Sequence, residues 1–158
     1  MNFMKKTRII RLVVIAIFLF LIRLYVVQGF KTFGKSMEPT YMDGSFIFVD
    51  KLTYKVRTPR RGEVIVFRTK EKPYLYFEKR VLGLAGEKIE IKDGNLFVND
   101  KQEVEEYLSE KNSWDVEPFV VRQGCVFVAG DNRSMPHKFH LLTQVDIKNI
   151  IGRVIGGK

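Results

Sequence analysis

Two residues of this sequence, Ser36 and Lys79, are of types that together catalyse acyl transfer in some proteins. Ser36 stands in the turn-forming stretch GKSMEPT, and Lys79 stands in the β-branched and aromatic stretch YLYFEKRVLGL. A serine hydroxyl is a poor nucleophile until a base removes its proton, and a lysine is a base only when it is neutral. The free pKa of lysine is about 10.4, so apolar neighbours such as Phe77 and Val81 must lower it before Lys79 acts near neutral pH. Alone, the pair is weak evidence, because serine and lysine are mostly exposed.

The element that precedes the serine is an apolar segment, Ile9–Val27, with only two charged residues, Arg11 and Arg23. As a helix this segment would span about 28 Å, close to the hydrocarbon thickness of a bilayer. The stretch that follows its apolar core, RLYVVQGFKTFG, has no small-x-small site of the kind at which a secretory signal is cleaved. The sequence therefore predicts an uncleaved transmembrane anchor over residues 9–28.

Basic residues predict the orientation of this anchor. Four of them lie before the uninterrupted apolar core and two lie beyond it: Lys5, Lys6, Arg8 and Arg11, then Arg23 and Lys31. Because the more basic flank of a membrane span stays in the cytoplasm, we expect residues 1–8 to be cytoplasmic. Residues 29–158 would then form an extracytoplasmic catalytic domain on a single-pass protein of the cell membrane, with membrane lipid as a partner.

The same basic residues account for most of the net charge of +9. A nucleic-acid-binding domain carries its excess of positive charge on the folded body, so we expect no nucleic-acid partner. The single cysteine, Cys125, cannot form an internal disulfide. Its neighbours, CVFVA, indicate a buried strand position.

Short β-branched and aromatic runs separated by turn signals follow Gly44 and predict a mainly β domain. The predicted strands are Ser45–Val49, Glu63–Phe67, Lys79–Leu84, Lys88–Ile91, Asn95–Asn99 and Cys125–Ala129. The Asp93-Gly94 pair between two alternating runs predicts a hairpin. Residues 101–118 are acidic and polar, and we expect an exposed excursion there, with at most one helical turn. The fold prediction is an N-terminal transmembrane helix followed by a barrel-like or folded antiparallel β-sheet.

The chain is similar to the bacterial type I signal peptidases, which are membrane-anchored serine proteases with a serine-lysine dyad. Four boxes carry the resemblance in the family's order: SMEPT at residues 36–40, RRGEVIVF at 60–67, EKRVLGLAG at 78–86 and VFVAGDNR at 126–133. The resemblance runs from the anchor almost to residue 158. It implies an endopeptidase that removes signal peptides from exported precursor proteins at small-x-small sites, without a metal or cofactor.

The resemblance also implies a role for each matched residue. Ser36 would be the nucleophile and Lys79 the general base, with the Ser36 N–H holding the oxyanion. Gly34 stands where many relatives have a second, side-chain donor. An extended substrate would add as a strand beside residues 30–34 and 76–78. The implied oxyanion and substrate-binding residues are Gly34, Ser36, Met37, Phe77 and Glu78, and the implied structural residues are Pro39, Arg80, Asp131 and Arg133.

Two departures from the family pattern concern the general base. Pro136 occupies the position of a serine that orients the lysine in many members, and we consider Ser134 as a substitute. Glu78 replaces the apolar residue that usually precedes the lysine, and strand alternation predicts that its side chain points away from Lys79. A third departure, Ala85 in the usual Gly-Leu-Pro-Gly turn, is minor.

Several alternatives stay open on the sequence. His137 and His140 suggest a metal or a Ser-His pair, but a metal site needs three or four converging ligands, so solvated loop histidines are favoured. The altered sequence after Arg133 motivates an alternative function. The protein would then be a dedicated or non-proteolytic relative that serves assembly of a surface structure such as a pilus. A soluble, self-cleaving, repressor-like serine-lysine protease is a third possibility, which the apolar N-terminal segment disfavours.

Overall fold

The computed structural model describes residues 2–108, 114–136 and 143–157. Strands dominate after the N-terminal helix. The helices are α1 (Asn2–Tyr25) and α2 (Thr53–Val56), with one 3-10 turn at Ile147–Asn149. The strands are β1 (Val27–Lys31), β2 (Phe46–Asp50), β3 (Val64–Phe67), β4 (Phe77–Leu84), β5 (Lys88–Lys92), β6 (Asn95–Val98), β7 (Lys101–Gln102), β8 (Val116–Val120), β9 (Cys125–Ala129), β10 (Thr143–Asp146) and β11 (Ile150–Gly157).

The strands form two antiparallel sheets. One has seven strands in the order β1-β2-β11-β3-β4-β9-β10, and the other has four in the order β7-β6-β5-β8. This confirms a mainly β protein built on folded antiparallel sheets. The barrel-like part of the prediction is wrong for the described residues, because β1 and β10 end the larger sheet without pairing with each other.

The predicted strands are confirmed, with bounds that differ by one or two residues. Cys125 is buried, as predicted, in β9, whose five residues are all buried. β9 is enclosed because its alternate side chains enter different cores. Phe127 packs with Leu82, Ile89 and Leu96 on one side, while the cluster on the other side contains Ile65, Phe67, Val81, Val126 and Val128.

The predicted hairpin joins β5 to β6, with Lys92 opposite Asn95. Asp93 and Gly94 have φ values of 49° and 72°. Positive φ at both central residues is what a two-residue hairpin loop of this twist requires, and Asp-Gly tolerates it.

Strand β11 lies between β2 and β3 and pairs with both. The larger sheet therefore has a half that contains β1 and β2, and a half that contains β3 and β4, joined through β11. The chain passes very close to β2 at Gly152, where a Cβ would lie 2.2 Å from the Asp50 carbonyl oxygen. Only glycine allows this approach without moving the backbone.

The described residues of the segment 101–118, which are 101–108 and 114–118, are mostly exposed or half-buried, but two of them are buried. Glu105 and Trp114 are buried, and β8 pairs with β5 in the smaller sheet. Both side chains have partners that the sequence does not reveal: Glu105 pairs with Arg133, and Trp114 packs in the core of the smaller sheet. The predicted helical turn is a short turn, closed by a Leu108 N–H to Glu105 carbonyl bond of 3.2 Å.

Helix α1 exposes apolar side chains along its length, including Leu12, Val14, Phe18 and Phe20, each more than half exposed. In the part of the chain that the structure describes, no helix is long and apolar enough to cross a membrane. The last two residues of the predicted anchor, Val27 and Gln28, belong to β1.

Candidate active site

The fold brings Ser36 and Lys79 together. Ser36 lies in the connection between β1 and β2, and Lys79 lies on β4, opposite Ile65 of β3. Lys79 Nζ is 2.6 Å from Ser36 Oγ, within hydrogen-bond distance. Lys79 is only 5% exposed. A buried amine in contact with a hydroxyl is the arrangement that an activated serine nucleophile requires.

The surroundings of Lys79 favour its neutral form. Burial lowers the pKa of Lys79, while the Glu78 and Asp131 carboxylates partly oppose this effect. No carboxylate in the described residues forms an ion pair with its ammonium group. Its second polar neighbour is the Glu78 carbonyl oxygen, which accepts a bond of 2.9 Å from Nζ. Lys79 therefore loses its proton at a lower pH than an exposed lysine does.

The Ser36 turn is fixed by residues far away in the sequence. The Asn132 N–H donates to the Ser36 carbonyl oxygen at 3.0 Å, and Asn132 Nδ2 donates to the Lys35 carbonyl oxygen at 2.9 Å. Asp43 Oδ1 accepts from the Gly34 N–H at 2.8 Å. Neither Asn132 nor Asp43 was predicted to belong to the site. Asn132 lies in the box VFVAGDNR, residues 126–133. Its place in that box is the feature of the sequence that could have indicated a role.

The structure leaves the Ser36 N–H free to bind an oxyanion, since it donates to no described residue. Gly34 supplies no side-chain donor, and its own N–H is engaged by Asp43. Gly34 has a φ of +89°, in the left-handed region that glycine tolerates best. Its role in the site is therefore one of backbone shape.

Arg80 and Asp131 connect β4, the strand that contains Lys79, to the turn that contains Ser36. Arg80 Nη2 and Nε donate to the two Asp131 carboxylate oxygens at 2.5 and 2.9 Å. Thr40, at the end of the turn that contains Pro39, donates its hydroxyl proton to Asp131 Oδ2 at 2.5 Å. The Asp131 side chain is fully buried, so this cluster is a rigid support behind the dyad.

Arg133 forms a second buried ion pair. Its Nη2 lies 2.5 Å from Glu105 Oε1, and both side chains are at least 97% buried. The Tyr107 hydroxyl also donates to Glu105 Oε1, and the Arg80 guanidinium lies over the Tyr107 ring at 3.9 Å. Neither Glu105 nor Tyr107 was predicted to belong to the site. Nothing in the acidic sequence around them indicates that these two residues lie in one cluster.

Beside the dyad lies a groove of about 800 Å³. Its walls include Phe30 and Phe33 on one side and Tyr76 and Phe77 on the other, and the Phe30 and Tyr76 rings meet at 4.9 Å. Gly34, Ser36, Glu78 and Lys79 also line it. Met37, which was expected to bind substrate, is buried in the protein and is not among the lining residues.

The groove has unpaired strand edges in the described structure. β1 ends the larger sheet and pairs only with β2. β4 pairs with β3 from Phe77 onward, but its pairing with β9 begins only at Arg80. Main-chain groups near Phe77 and Glu78 are therefore available to an added strand.

As alternation predicts, Glu78 and Lys79 leave β4 on opposite faces, with Val66 and Ile65 as their partners on β3. Glu78 nevertheless lies beside the groove that holds the dyad. Its side chain lines the same groove, and the Lys79 charge affects its pKa, which burial raises. Alternation fixes only the direction of the Cα–Cβ bond. The long stem of Lys79 turns toward Ser36 and so ends near the Glu78 side of the strand.

The positions that were considered for orienting the lysine have other neighbours. Ser134 Oγ donates to Asn132 Oδ1 at 2.6 Å, and Pro136 is exposed. The Glu78 carbonyl oxygen supplies the additional polar contact to Lys79 Nζ. His137 and His140 lie outside the described residues.

Comparison with known proteins identifies relatives of this chain. The family described as signal peptidase, peptidase S26, matches residues 5–156. Signal peptidase I of Bacillus caldolyticus is 34% identical over 147 residues, which cover 84% of this chain and 80% of that protein. Thylakoidal processing peptidase 1 of Arabidopsis thaliana is 35% identical over 130 residues, 76% of this chain and 38% of that protein. A probable signal peptidase I-2 of Synechocystis is 31% identical, over 84% of this chain and 63% of that protein.

The fold has a solved counterpart. A signal peptidase I from Enterococcus faecalis V583 superposes with a TM-score of 0.52 at 24% identity, over 61% of this chain and 97% of that chain. This chain spans between about one third and two thirds of the length of the Arabidopsis and Synechocystis relatives. With a family match over almost all of its residues, the chain belongs to the signal peptidase family, peptidase S26.

Proposed function

We propose that this protein is a membrane-bound serine endopeptidase that removes N-terminal signal peptides from exported precursor proteins. The observation that carries the proposal is the 2.6 Å contact between Ser36 Oγ and the buried Lys79 Nζ. Relatives that bear the name signal peptidase I support the substrate class. They do not favour a non-proteolytic assembly factor.

In the proposed reaction, Lys79 acts first as base and then as acid. Neutral Lys79 Nζ accepts the Ser36 hydroxyl proton as Oγ attacks the scissile carbonyl carbon. The carbonyl oxygen becomes an oxyanion that accepts a hydrogen bond from the Ser36 N–H, a donor fixed before the reaction begins. The lysine ammonium then gives its proton to the leaving amine as the peptide bond breaks.

The second half of the reaction regenerates the enzyme. Ser36 now carries the substrate acyl group as an ester, and Lys79 is neutral again. Lys79 accepts a proton from water as the water oxygen attacks the ester carbonyl. Collapse of the second tetrahedral intermediate releases the carboxylic acid, and Ser36 Oγ recovers its proton from Lys79.

We propose that the substrate binds as an extended strand between residues 30–34 and 76–78. The open edges of β1 and β4 support this, because an added strand satisfies their main-chain groups and places alternate side chains in the groove. The apolar groove walls fit small uncharged side chains near the scissile bond.

We also propose that the predicted anchor, shortened to residues 9–26 because Val27 and Gln28 belong to β1, holds the protein in the cell membrane, with residues 1–8 cytoplasmic and the catalytic domain on the other side. The apolar segment and its basic flank support this orientation. The exposed apolar side chains of α1 support it further, because they have little protein to pack against. An anchor of this kind would hold Ser36 near the membrane surface.

The dyad is tested with the full chain, an exported precursor and two variants, Ser36→Ala and Lys79→Ala. Each variant should lose precursor processing while staying folded and membrane-associated. Lys101→Ala, which removes an exposed lysine on β7, is the matched control and should process normally. Processing at the wild-type rate by either dyad variant would overturn the assignment.

The topology is tested by adding protease to intact spheroplasts. The domain over residues 29–158 should be digested, while an epitope placed before residue 8 should survive until the membrane is opened. Full protection of the domain together with loss of the epitope would reverse the proposed orientation.

A further inference from the structure

The groove beside the dyad contains one feature that its apolar walls do not explain. Glu78 is its single acidic lining residue among the described residues, in a groove that is also lined by apolar side chains such as Phe30, Ile47 and Phe77 and by three lysines, Lys31, Lys35 and Lys79. An acidic side chain half-buried among apolar groups is costly unless a partner offsets its lost hydration. Its presence therefore calls for a partner.

Among the described residues, the hydrogen-bonding groups near the Glu78 carboxyl are main-chain N–H groups. The carboxyl forms no ion pair with a described residue, and the main-chain oxygen of the same residue, rather than the carboxylate, contacts Lys79 Nζ. Burial raises the pKa of this carboxyl, while the Lys79 ammonium and the main-chain N–H groups of Glu78 itself and of Phe33 lower it. The carboxyl therefore lies in the groove that an extended substrate would occupy.

A bound substrate changes the surroundings of this carboxyl. An aliphatic substrate side chain laid against it would remove more water and return no hydrogen bond. A side chain with a donor, such as a hydroxyl, would replace the lost water with a charge-assisted bond. The difference between these two cases is a preference between substrates.

We propose that Glu78 is a specificity-determining residue, which makes the groove prefer a hydrogen-bond-donating side chain over an aliphatic one in the subsite beside the general base. This inference rests on the proposed function. The subsite belongs to the residues just before the scissile bond, because Glu78 adjoins Lys79 in the sequence and lines the same groove. Alternation of an extended substrate directs its first and third residues before that bond to one face.

The test uses threonine and valine, which have nearly the same shape and differ in one donor group. Two pairs of peptides carry Thr or Val at the first or at the third residue before the cleavage site. For the wild-type enzyme, kcat/KM should favour Thr over Val by about tenfold at one of these positions, as expected for a hydrogen bond to a charged group.

Three variants connect this preference to Glu78. Glu78→Gln, which keeps the shape and loses the charge, should reduce the Thr-to-Val ratio to about threefold or less. Glu78→Ile should invert the ratio in favour of Val. Glu117→Gln, which removes an exposed carboxylate from β8 in the other sheet, is the control and should keep the wild-type ratio.

The outcomes separate this inference from the proposed function. A wild-type enzyme that cleaves both peptides of each pair equally well overturns the inference and leaves the proposed function standing, whatever the variants do. A ratio unchanged in Glu78→Gln also overturns it, and this nearly isosteric variant serves if Glu78→Ile does not fold. If the wild type cleaves no peptide and no precursor, the proposed function fails and the inference fails with it.

Discussion

Lys79 and Arg80 are neighbours on one strand and have the same formal charge, but the protein treats them in opposite ways. Lys79 is buried against a serine hydroxyl and a carbonyl oxygen, with no ion-pair partner among the described residues. Arg80 donates two hydrogen bonds to the fully buried carboxylate of Asp131 and covers the Tyr107 ring. One side chain is held so that it can lose its proton, and the other so that it cannot.

The difference shows how a single strand combines reactivity with support. Burial without a counter-ion lowers the pKa of Lys79, which favours the neutral form that the proposed base requires. For Arg80, burial lowers the pKa, but the hydrogen bonds that it donates to Asp131 and the negative charge of that carboxylate outweigh this effect, and the pKa is raised. A guanidinium is also the better group for a fixed bidentate pair, whereas an ammonium gives up its proton more readily.

Lys79→Arg should cause the largest loss of activity. This change places a group that stays protonated at the base position, so the serine cannot be activated. We expect kcat/KM on a precursor peptide to fall by about a thousandfold or more. Thermal unfolding of the same preparation shows whether the fold has survived. A variant that keeps a tenth of the wild-type activity would show that Lys79 is not the base.

Asp131→Asn tests whether the buried pair of Arg80 and Asp131 stabilises the fold. It leaves the Arg80 guanidinium buried without a charged partner, and we expect the free energy of unfolding to fall by about 3–5 kcal/mol. Denaturant unfolding measures this change. Asp100→Asn removes an acid from the exposed pair with Lys88 and should cause no measurable loss. Equal effects of the two substitutions would contradict a supporting role for the Asp131 pair.

The pH dependence of activity tests whether Lys79 must lose its proton before the protein is active. Protonated Lys79 is inactive, so kcat/KM should rise with pH through the lowered pKa of Lys79 and then level off. The Glu78 carboxylate raises that pKa, and its loss in Glu78→Gln should move the rising limb to lower pH. Rates measured between about pH 6 and about pH 10 test both statements. A flat profile would exclude a neutral lysine base, and a limb that moves to higher pH would exclude the effect of Glu78.

The smallest effect is expected for Pro136→Ser, which restores the serine that many relatives have. Lys79 Nζ already has two oxygen neighbours, Ser36 Oγ and the Glu78 carbonyl. We therefore expect kcat to rise by no more than about threefold, less than a full hydrogen bond to a charged group would contribute, with KM unchanged. Steady-state kinetics on one peptide decide the point. A much larger gain would mean that poor orientation of Lys79 limits turnover in the wild type.

The sequence was sufficient for those parts of the site that depend on local pattern. Ser36 and Lys79 stand in boxes that resemble a family, and the strand that carries Lys79 has the β-branched residues that a buried strand requires. The Asp93-Gly94 hairpin has an equally local cause. In each case the residues that determine the structure lie within a few positions of one another.

The parts that the sequence did not predict depend on contacts between distant residues. The Glu105–Arg133 pair and the bonds from Asn132 to the Ser36 turn join segments that only the completed fold brings together. That Glu78 and Lys79 line the same groove was missed for a different reason. Strand alternation predicts where a side chain starts, whereas the end of a long side chain follows the space and the charges around it.

The position of β11 has a consequence for the biosynthesis of the protein. Ser36 belongs to the half of the larger sheet with β1 and β2, Lys79 belongs to the half with β3 and β4, and residues 150–157 lie between them. Pairings between strands so distant in the sequence form late, because the intervening chain must first be made and ordered. The contact between Ser36 and Lys79 therefore depends on β11, and we expect a chain that ends before residue 150 to lack it.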